Sequence, residues 1–208
     1  MTEYFIPTGP GESELTEKRS RFLGHLSPAD SEEEARAFIA GMKKKYYDAR
    51  HNCWCYIIRS AAERYGDDGE PQGTAGIPML EVLRRAGVTN AVCVVTRYFG
   101  GVLLGAGGLL RCYTRAAADA LTAAGMSAVR PWTEADVPCG YAMAERLKLE
   151  LTAAGAVIAD TVYGESVTIK ALIPAERTEE LAARVTDISC GAVELIPTGE
   201  THRAVPLG

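Results

Sequence analysis

A glycine-rich segment between two apolar elements is the first part of this chain that could do chemistry. Residues 99–108 contain five glycines in ten positions, after a buried strand predicted at residues 91–98 and before a helix predicted at residues 109–124. Glycine lets the backbone approach a ligand closely, and the free N–H groups at a helix start favour an anion. The sequence therefore predicts a site for an anion, RNA or a partner, formed by Arg97, Tyr98, Gly105, Gly107, Gly108, Arg111 and Arg115.

Two arginines at the start of the predicted helix support this interpretation. Arg111 and Arg115 lie in its first two turns, where the helix dipole disfavours positive charge unless an anion is bound. The alternative is tight packing, in which the glycines let strand, loop and helix meet without side chains. A P-loop is excluded because no Gly-Lys-Ser/Thr follows, and a dinucleotide-binding loop is excluded because the G-x-G-x-x-G spacing is missing.

An acidic turn, DDGEP at residues 67–71, is the second candidate. Its three carboxylates could hold a hard cation such as Mg²⁺ or act as acid and base. Two other interpretations stay open: the aspartates cap backbone N–H groups, or Asp68 or Glu70 pairs with Arg97. The candidate acidic cluster with its neighbours comprises His51, Asp68, Glu70 and Thr74.

The segment HNCWC at residues 51–55 places a histidine and two cysteines on one side of a predicted strand. Alternate residues of a strand are about 6.6 Å apart, too far for thiolates that bind one zinc ion at about 2.3 Å. We therefore predict no metal site, and His51 is either structural or a group that titrates beside the acidic turn. Because no Ser-His-Asp order and no G-x-S-x-G motif is present, no catalytic residue and no cofactor are predicted.

The elements that position these residues are predicted from capping and periodicity. Ser31 and Glu34 form a capping box for a helix that ends in three lysines. Thr74 is expected to cap a helix that ends near Ala86. Strands are expected at residues 21–26, 53–59 and 91–98, after a polar lead-in at residues 1–20.

The C-terminal part has the element order β-α-β-β-α-β, which is the ferredoxin-like arrangement. Residues 131–134 are interpreted as a linker that precedes it. We therefore predict an α+β protein with one domain at residues 1–130 and a smaller ferredoxin-like domain at residues 131–208. The six predicted elements are residues 135–140, 141–154, 156–163, 165–173, 174–185 and 189–197.

Composition restricts the class of protein. Among 208 residues, 47% are apolar and 24% charged, which excludes disorder, and no apolar run is long enough for a membrane span. The N-terminus is acidic and polar, unlike a signal peptide. The six cysteines are scattered through apolar stretches, so we expect reduced, mostly buried thiols in a cytoplasmic protein with no membrane partner.

The net charge of −5 conceals an asymmetry between the two predicted domains. Residues 1–130 hold 16 basic and 15 acidic residues, whereas residues 131–208 hold 6 and 12. Between residues 84 and 130 there are six arginines and one acid. The charge therefore argues against RNA binding by the second domain only.

Several linked motifs resemble those of the YigZ/IMPACT family. They are RSRF at residues 19–22, HNCW at 51–54, DDGEP at 67–71, GTAG at 73–76, RYFGG at 97–101 and LGAGGLLR at 104–111, with Tyr113. The match runs in order over roughly residues 15–125, and the remainder is similar to the second domain of bacterial members without sharp motifs. Cys55 departs from the pattern, which favours a small residue such as alanine.

The resemblance implies a fold and a class of function. The first domain would be similar to the second domain of ribosomal protein S-five type folds, shared with domain IV of elongation factor G, and the second to domain V of that factor. Eukaryotic IMPACT proteins regulate translation by binding a protein partner of a stress kinase, whereas the bacterial proteins have no settled activity.

We expect a non-catalytic binding protein linked to translation through RNA, the ribosome or a protein partner of the N-terminal domain. Two alternatives stay open. One is an enzyme that acts on a phosphorylated small molecule, with Asp68 or Glu70 beside a phosphate-binding glycine loop. The other is a protein-interaction adaptor without a small ligand.

Overall fold

The structure, a computed structural model, describes residues 3–59 and 61–207. It is an α+β fold with antiparallel sheets, divided into two compact units. The first unit comprises Tyr4–Ala128 with residues 204–207, and the second comprises Val129–Arg203 with Glu3. No helix among the described residues is long and apolar enough to cross a membrane.

The first unit contains a five-stranded antiparallel sheet with helices on both faces. The strands of this unit are β1 (Tyr4–Pro7), which lies outside this sheet, β2 (Gly11–Glu17), β3 (Ser20–Pro28), β4 (His51–Ile58), β5 (Ala62–Gly66) and β6 (Ala91–Tyr98). Its helices are α1 (Glu32–Lys45), α2 (Gly76–Arg85) and α3 (Gly105–Ala124). The sheet order is β2-β3-β6-β4-β5, so the two predicted buried strands, β4 and β6, lie inside it.

Side chains of the inner strands alternate between two apolar cores. Cys53 and Val95 belong to the core under α2 and α3. Tyr56 and Val94 belong to the smaller core under α1. Because both faces are covered, the inner strands consist almost entirely of apolar residues, which is why they could be predicted from the sequence.

The N-terminal part differs from the prediction at two places. The expected polar lead-in is wrong, because β1 and β2 occupy it. The capping box of α1 is confirmed at Ser31, whose Oγ accepts the Glu34 N–H at 3.2 Å. However, the Glu34 carboxylate accepts the N–H of Asp30 rather than that of Ser31.

Helix α3 begins at Gly105, four residues before the predicted start. The predicted stripe of Leu109, Tyr113, Ala116, Ala120 and Ala124 is confirmed as buried. Its small residues let the helix lie close to the sheet: a Cβ on Gly24 of β3 would be 2.7 Å from the Ala116 carbonyl oxygen.

The second unit has the ferredoxin-like order of elements. They are β7 (Met126–Cys139), α4 (Tyr141–Ala153), β8 (Val157–Tyr163), β9 (Val167–Pro174), α5 (Thr178–Ile188) and β10 (Ile196–Pro206). The strand order is β10-β7-β9-β8. The linker predicted at residues 131–134 is wrong because β7 runs through it, and the last strand begins at Ile196 rather than at residue 189.

Candidate functional site

Four segments of the first unit meet at one end of its sheet. In the register of β4 and β6, His51 lies opposite Arg97, and the Arg50 N–H donates to the Arg97 carbonyl at 3.0 Å. The acidic turn follows β5, and the start of α3 lies beside it. Together they line a cleft of about 410 Å³ whose polar floor is His51, Glu70 and Arg97. We call it the α3 cleft.

Glu70 and Arg97 form a buried ion pair in the floor of the α3 cleft. Arg97 Nη1 donates to Glu70 Oε1 at 2.6 Å, and the side chains are 6% and 2% exposed for Arg97 and Glu70. The Tyr113 hydroxyl donates to the same oxygen at 2.9 Å. The rings of Phe22 and Phe99 lie 5.5 and 5.6 Å from the guanidinium carbon, within cation–π range. Of the three interpretations of the acidic turn, pairing of Glu70 with Arg97 is therefore confirmed.

Burial keeps the two nucleophilic groups beside this pair protonated. It raises the pKa of the Tyr113 hydroxyl, and the neighbouring Cys53 and Glu70 raise it further. Burial also raises the pKa of the Cys53 thiol, which donates to the Asp67 carbonyl at 3.0 Å. Tyr113 and Cys53 therefore act as hydrogen-bond donors at neutral pH and not as nucleophiles.

The two aspartates of the acidic turn hold the local structure. Asp67 accepts from the backbone N–H groups of Gly73, Ala75 and Gly76 at 2.8–3.2 Å and so caps α2. Asp68 accepts the Asn52 N–H at 2.7 Å and contacts Lys43 Nζ at 2.5 Å. These bonds confirm the capping interpretation for Asp67 and leave neither carboxylate free for a cation.

Thr74 does not have the predicted capping role. Its hydroxyl donates to the Pro71 carbonyl at 2.7 Å, and the residue at the cap position of α2 is Ala75. The expectation fails because the capping carboxylate comes from Asp67, several residues earlier in the chain. Within the described ranges, no three His, Cys, Asp or Glu side chains are grouped so as to hold a metal ion.

His51 joins the acidic turn to the floor of the α3 cleft. Its Nδ1 is 2.8 Å from the Asp68 carbonyl oxygen, and its Nε2 is 3.9 Å from Glu70 Oε2. Because a carbonyl only accepts, Nδ1 carries the hydrogen, and Nε2 faces the carboxylate. The structure thus brings the side chains of His51 and Glu70 together. Asp68 contacts His51 only through its backbone carbonyl, and its carboxylate contacts Lys43.

A second cleft lies on the other side of the start of α3 and is basic. It has a volume of about 280 Å³, and its lining includes Lys18, Arg111 and Arg115 with Glu17. Arg115 Nε is 3.5 Å from Asp119, an exposed pair, whereas no salt bridge to Lys18 or Arg111 occurs in the part of the chain that is described. We call this surface, with Arg19, the basic cleft.

The turn between β2 and β3 presents two of these cations from a strained backbone. Lys18 and Arg19 both adopt positive φ, 45° and 66°, in a two-residue hairpin turn that usually holds Asn-Gly. Gly100 packs directly on this turn, since a Cβ there would lie 2.0 Å from the Arg19 carbonyl carbon. Non-glycine residues in such conformations cluster at functional sites.

The other residues predicted for the anion or partner site lie in different environments. Tyr98 points away from the α3 cleft, and its hydroxyl donates to Asp48 at 2.8 Å. Gly108 is buried, and a Cβ added there would lie only 3.0 Å from Leu104 Cβ, so packing explains it. Gly105 and Gly107 are exposed and uncrowded at their Cβ positions. The positive φ of Gly105, 69°, explains that glycine, whereas neither packing nor backbone conformation explains Gly107.

Four contributors to these sites are not predicted by the sequence reasoning. Ser20 is fully buried, and its Oγ accepts the Gly100 N–H at 3.2 Å. Tyr113 is predicted only as a core residue and family motif position, and Lys18 and Arg19 are assigned to no site. A fully buried serine next to a basic turn leaves no periodic signal, but the paired positive charges at 18 and 19 are visible in the sequence.

The comparisons with known proteins all indicate the same family. The family model of the Impact N-terminal domain matches residues 18–121, and that of a domain of unknown function, DUF1949, matches residues 137–192. IMPACT family member YvyE of Bacillus subtilis is 34% identical over 197 residues, 94% of this chain and 91% of that protein. IMPACT family member YigZ of Escherichia coli is 33% identical over 204 residues, 96% of this chain and 100% of that protein.

Two further comparisons concern structure and distant relatives. A solved structure described as the crystal structure of a hypothetical protein has a TM-score of 0.61 and 33% identity, and covers 96% of this chain and 98% of its own. Protein IMPACT of Mus musculus is 32% identical over 111 residues, which is 50% of this chain and 34% of that protein.

Proposed function

The chain belongs to the IMPACT family, and from this premise we propose that it is a non-catalytic binding protein that contacts RNA phosphates with its first unit. The link to translation is carried over from the family resemblance. The observation that carries the proposal is the basic cleft, where Lys18, Arg111 and Arg115 line one concave surface beside a helix start. Clustered cations at a concave surface are the usual electrostatic footprint of a phosphate backbone.

The placement of the arginines supports the basic cleft over the rest of the arginine-rich segment. Arg97 is buried against Glu70, and Arg84, Arg85 and Arg130 do not line this cleft. Arg111 and Arg115 are exposed on α3, and Lys18 and Arg19 add two cations from outside the segment. An exposed pair such as Arg115–Asp119 is worth little, so it exchanges readily for a phosphate.

The roles of the carboxylates favour binding over catalysis. Asp67 caps α2, Asp68 holds β4 and Lys43, and Glu70 is paired with Arg97. A general base or a magnesium ligand needs a carboxylate that can reach substrate or metal. The phosphorylated-substrate enzyme therefore has less support from the geometry than the binding protein.

A protein partner is the second candidate, favoured by apolar side chains around the start of α3. Phe99, Val102 and Leu110 are 42–46% exposed, and Leu103 is 83% exposed. Exposed apolar residues next to cations are typical of protein-binding surfaces. This candidate predicts that Leu103→Ser weakens partner binding, whereas the RNA proposal predicts that it leaves RNA binding unchanged.

The test is binding of the full chain to a fluorescent single-stranded RNA at about 50 mM salt, read by anisotropy. Lys18→Gln and Arg111→Gln should each weaken binding several-fold. Arg85→Gln is the matched control, because Arg85 is an exposed arginine of the same unit that lies on α2. The proposal fails if the wild-type chain does not bind, or if Arg85→Gln weakens binding as much as Arg111→Gln does.

A further inference from the structure

The floor of the α3 cleft contains polar groups whose hydrogen bonds are incomplete. His51 Nδ1 carries the hydrogen, so a neutral His51 would point an acceptor, Nε2, at Glu70 Oε2 across 3.9 Å. The neighbouring Arg97 Nε is buried without a hydrogen-bond partner in the described part of the chain. Buried polar groups in native proteins are rarely left in this state without a reason.

Positive charge reaches the α3 cleft from its rim and from the start of α3. In the floor, Arg97 and Glu70 balance each other. The exposed Arg50 adds a cation at the rim. Helix α3 has no acidic residue in its first turn and no side-chain cap, so its positive end is uncompensated at the same cleft.

The rest of the α3 cleft is apolar. Phe99, Leu103 and Leu109 line it, and Leu103 is 83% exposed, so its apolar side chain is available to a ligand in the cleft. The volume of about 410 Å³ is in the range of small-molecule sites. A cleft with a positive rim and an apolar wall selects a ligand that carries both an anionic group and an apolar body.

From these observations we propose that the α3 cleft binds a small organic anion, in which a carboxylate or a phosphate monoester is joined to an apolar or aromatic body. The anionic group lies between Arg50 and the start of α3, and the apolar body lies on Leu103 and Phe99. This site is separate from the basic cleft, and it stands whether or not the chain binds RNA.

The first experiment titrates the full chain with four probes, followed by amide chemical shifts in two-dimensional NMR. The probes are benzoate, phenyl phosphate, inorganic phosphate and phenol. We expect the better of the two aromatic anions to bind at least about tenfold more tightly than inorganic phosphate and phenol, with the largest shifts at residues 103–109. Comparison of benzoate with phenyl phosphate identifies the preferred anionic group. The proposal is overturned if phenol binds as tightly as the aromatic anions, or if millimolar benzoate and phenyl phosphate cause no chemical-shift changes.

Variants separate this site from the rest of the surface. Leu103→Ser should reduce the affinity of the preferred aromatic anion about tenfold without unfolding the chain, because Leu103 is largely exposed. Leu110→Ser is the matched control, since Leu110 is an exposed leucine of α3 outside this cleft. Equal losses in the two variants would contradict the site. Lys18→Gln should leave aromatic-anion binding unchanged, so failure of the RNA proposal and failure of this one are distinguishable.

Discussion

Glu70 and Arg97 are opposite charges with almost no solvent around them, and three neighbours depend on their geometry. Tyr113 donates to Glu70, while Phe22 and Phe99 lie within cation–π range of the Arg97 guanidinium. The desolvation of both charges offsets much of their attraction, so the pair specifies an arrangement more than it adds stability. Loss of one partner is different, because it leaves the other charge buried and uncompensated.

Single removal of either charge should therefore destabilise the chain strongly. We expect Glu70→Gln and Arg97→Met each to lower the free energy of unfolding by about 3–5 kcal/mol, and the double variant to lower it by less than the sum. Urea unfolding measures all three. Arg84→Met, which removes an exposed arginine paired with Glu63, is the control and should cost no more than about 1 kcal/mol. Additive losses at Glu70 and Arg97 would contradict the coupling.

His25 is a second titratable residue whose environment gives a prediction. Burial lowers the pKa of its ring, and the facing groups, Glu12 and Lys45, act in opposite directions. Since the folded pKa is lowered, the unfolded chain takes up the proton first as the pH falls. The stability contribution is therefore present above the ordinary pKa of about 6.5 and is lost as the pH falls through the folded value.

The measurement is the free energy of unfolding between about pH 7 and pH 5. His25 should contribute a decrease of up to about 1.4 kcal/mol per pH unit, and His25→Gln should flatten the profile by that amount. Glu12→Gln should steepen it, because Glu12 raises the pKa of His25 and so limits the loss. Parallel profiles for the wild type and His25→Gln would show that this ring does not carry the effect.

At the scale of elements, the turn between β2 and β3 and the loop before α3 form one structure. Lys18 and Arg19 hold positive φ, and Gly100 leaves no room for a side chain against the Arg19 backbone. Gly107, in the first turn of α3, has open space, with Arg111 Nη1 nearest at 3.8 Å from an added Cβ. Gly100 and Gly107 therefore differ in what they require: close packing requires glycine at position 100, whereas nothing crowds position 107.

These reasons predict opposite results for two alanine substitutions. Gly100→Ala should lower the free energy of unfolding by about 1–3 kcal/mol and weaken RNA binding, because it displaces the turn that presents Lys18 and Arg19. Gly107→Ala should change stability by less than about 1 kcal/mol, in the stabilising direction, since alanine favours a helix. Thermal and urea unfolding compare the two. Equal losses would mean that Gly107 is also a packing glycine.

The elements that the sequence predicts well are those with a buried pattern. Strands β4 and β6 are covered on both faces and are therefore nearly continuous apolar runs, whereas the buried stripe of α3 follows the helical period. Strand β2 escapes prediction because it is an edge strand whose Glu12 and Glu14 are exposed. Pro131 is typical of a linker, but strand β7 continues through it.

The candidate site is less predictable because its contacts join distant parts of the chain. Glu70, Arg97 and Tyr113 are separated by up to 43 residues, and pairing with Arg97 is one of three interpretations that the acidic turn leaves open. Asp67 caps a helix that begins nine residues later, beyond the reach of local capping rules. Local patterns therefore identify which residues matter but not which of them bind each other.

At the scale of the molecule, charge separates the two units. Residues 131–208 carry twice as many acidic as basic residues, whereas residues 1–130 are nearly balanced and include the exposed cations of the basic cleft. A polyanion should therefore be attracted by the first unit and repelled by the second. We therefore expect the salt dependence of RNA binding to report the number of phosphate contacts made by the basic cleft, and not the number of cations in the whole chain.

Four phosphate contacts, from Lys18, Arg19, Arg111 and Arg115, predict a slope of about −2.8 for the logarithm of the affinity against the logarithm of the salt concentration on single-stranded RNA. Arg111→Gln should reduce the magnitude of that slope by about 0.7, because each lost contact releases one counterion fewer. Arg146→Gln removes an exposed arginine from the second unit and should leave the slope unchanged. If Arg146→Gln flattens the slope as much as Arg111→Gln does, the acidic unit takes part in binding and the basic cleft is not the contact surface. A slope that stays near about −2.8 in every variant would place the phosphate contacts on other residues.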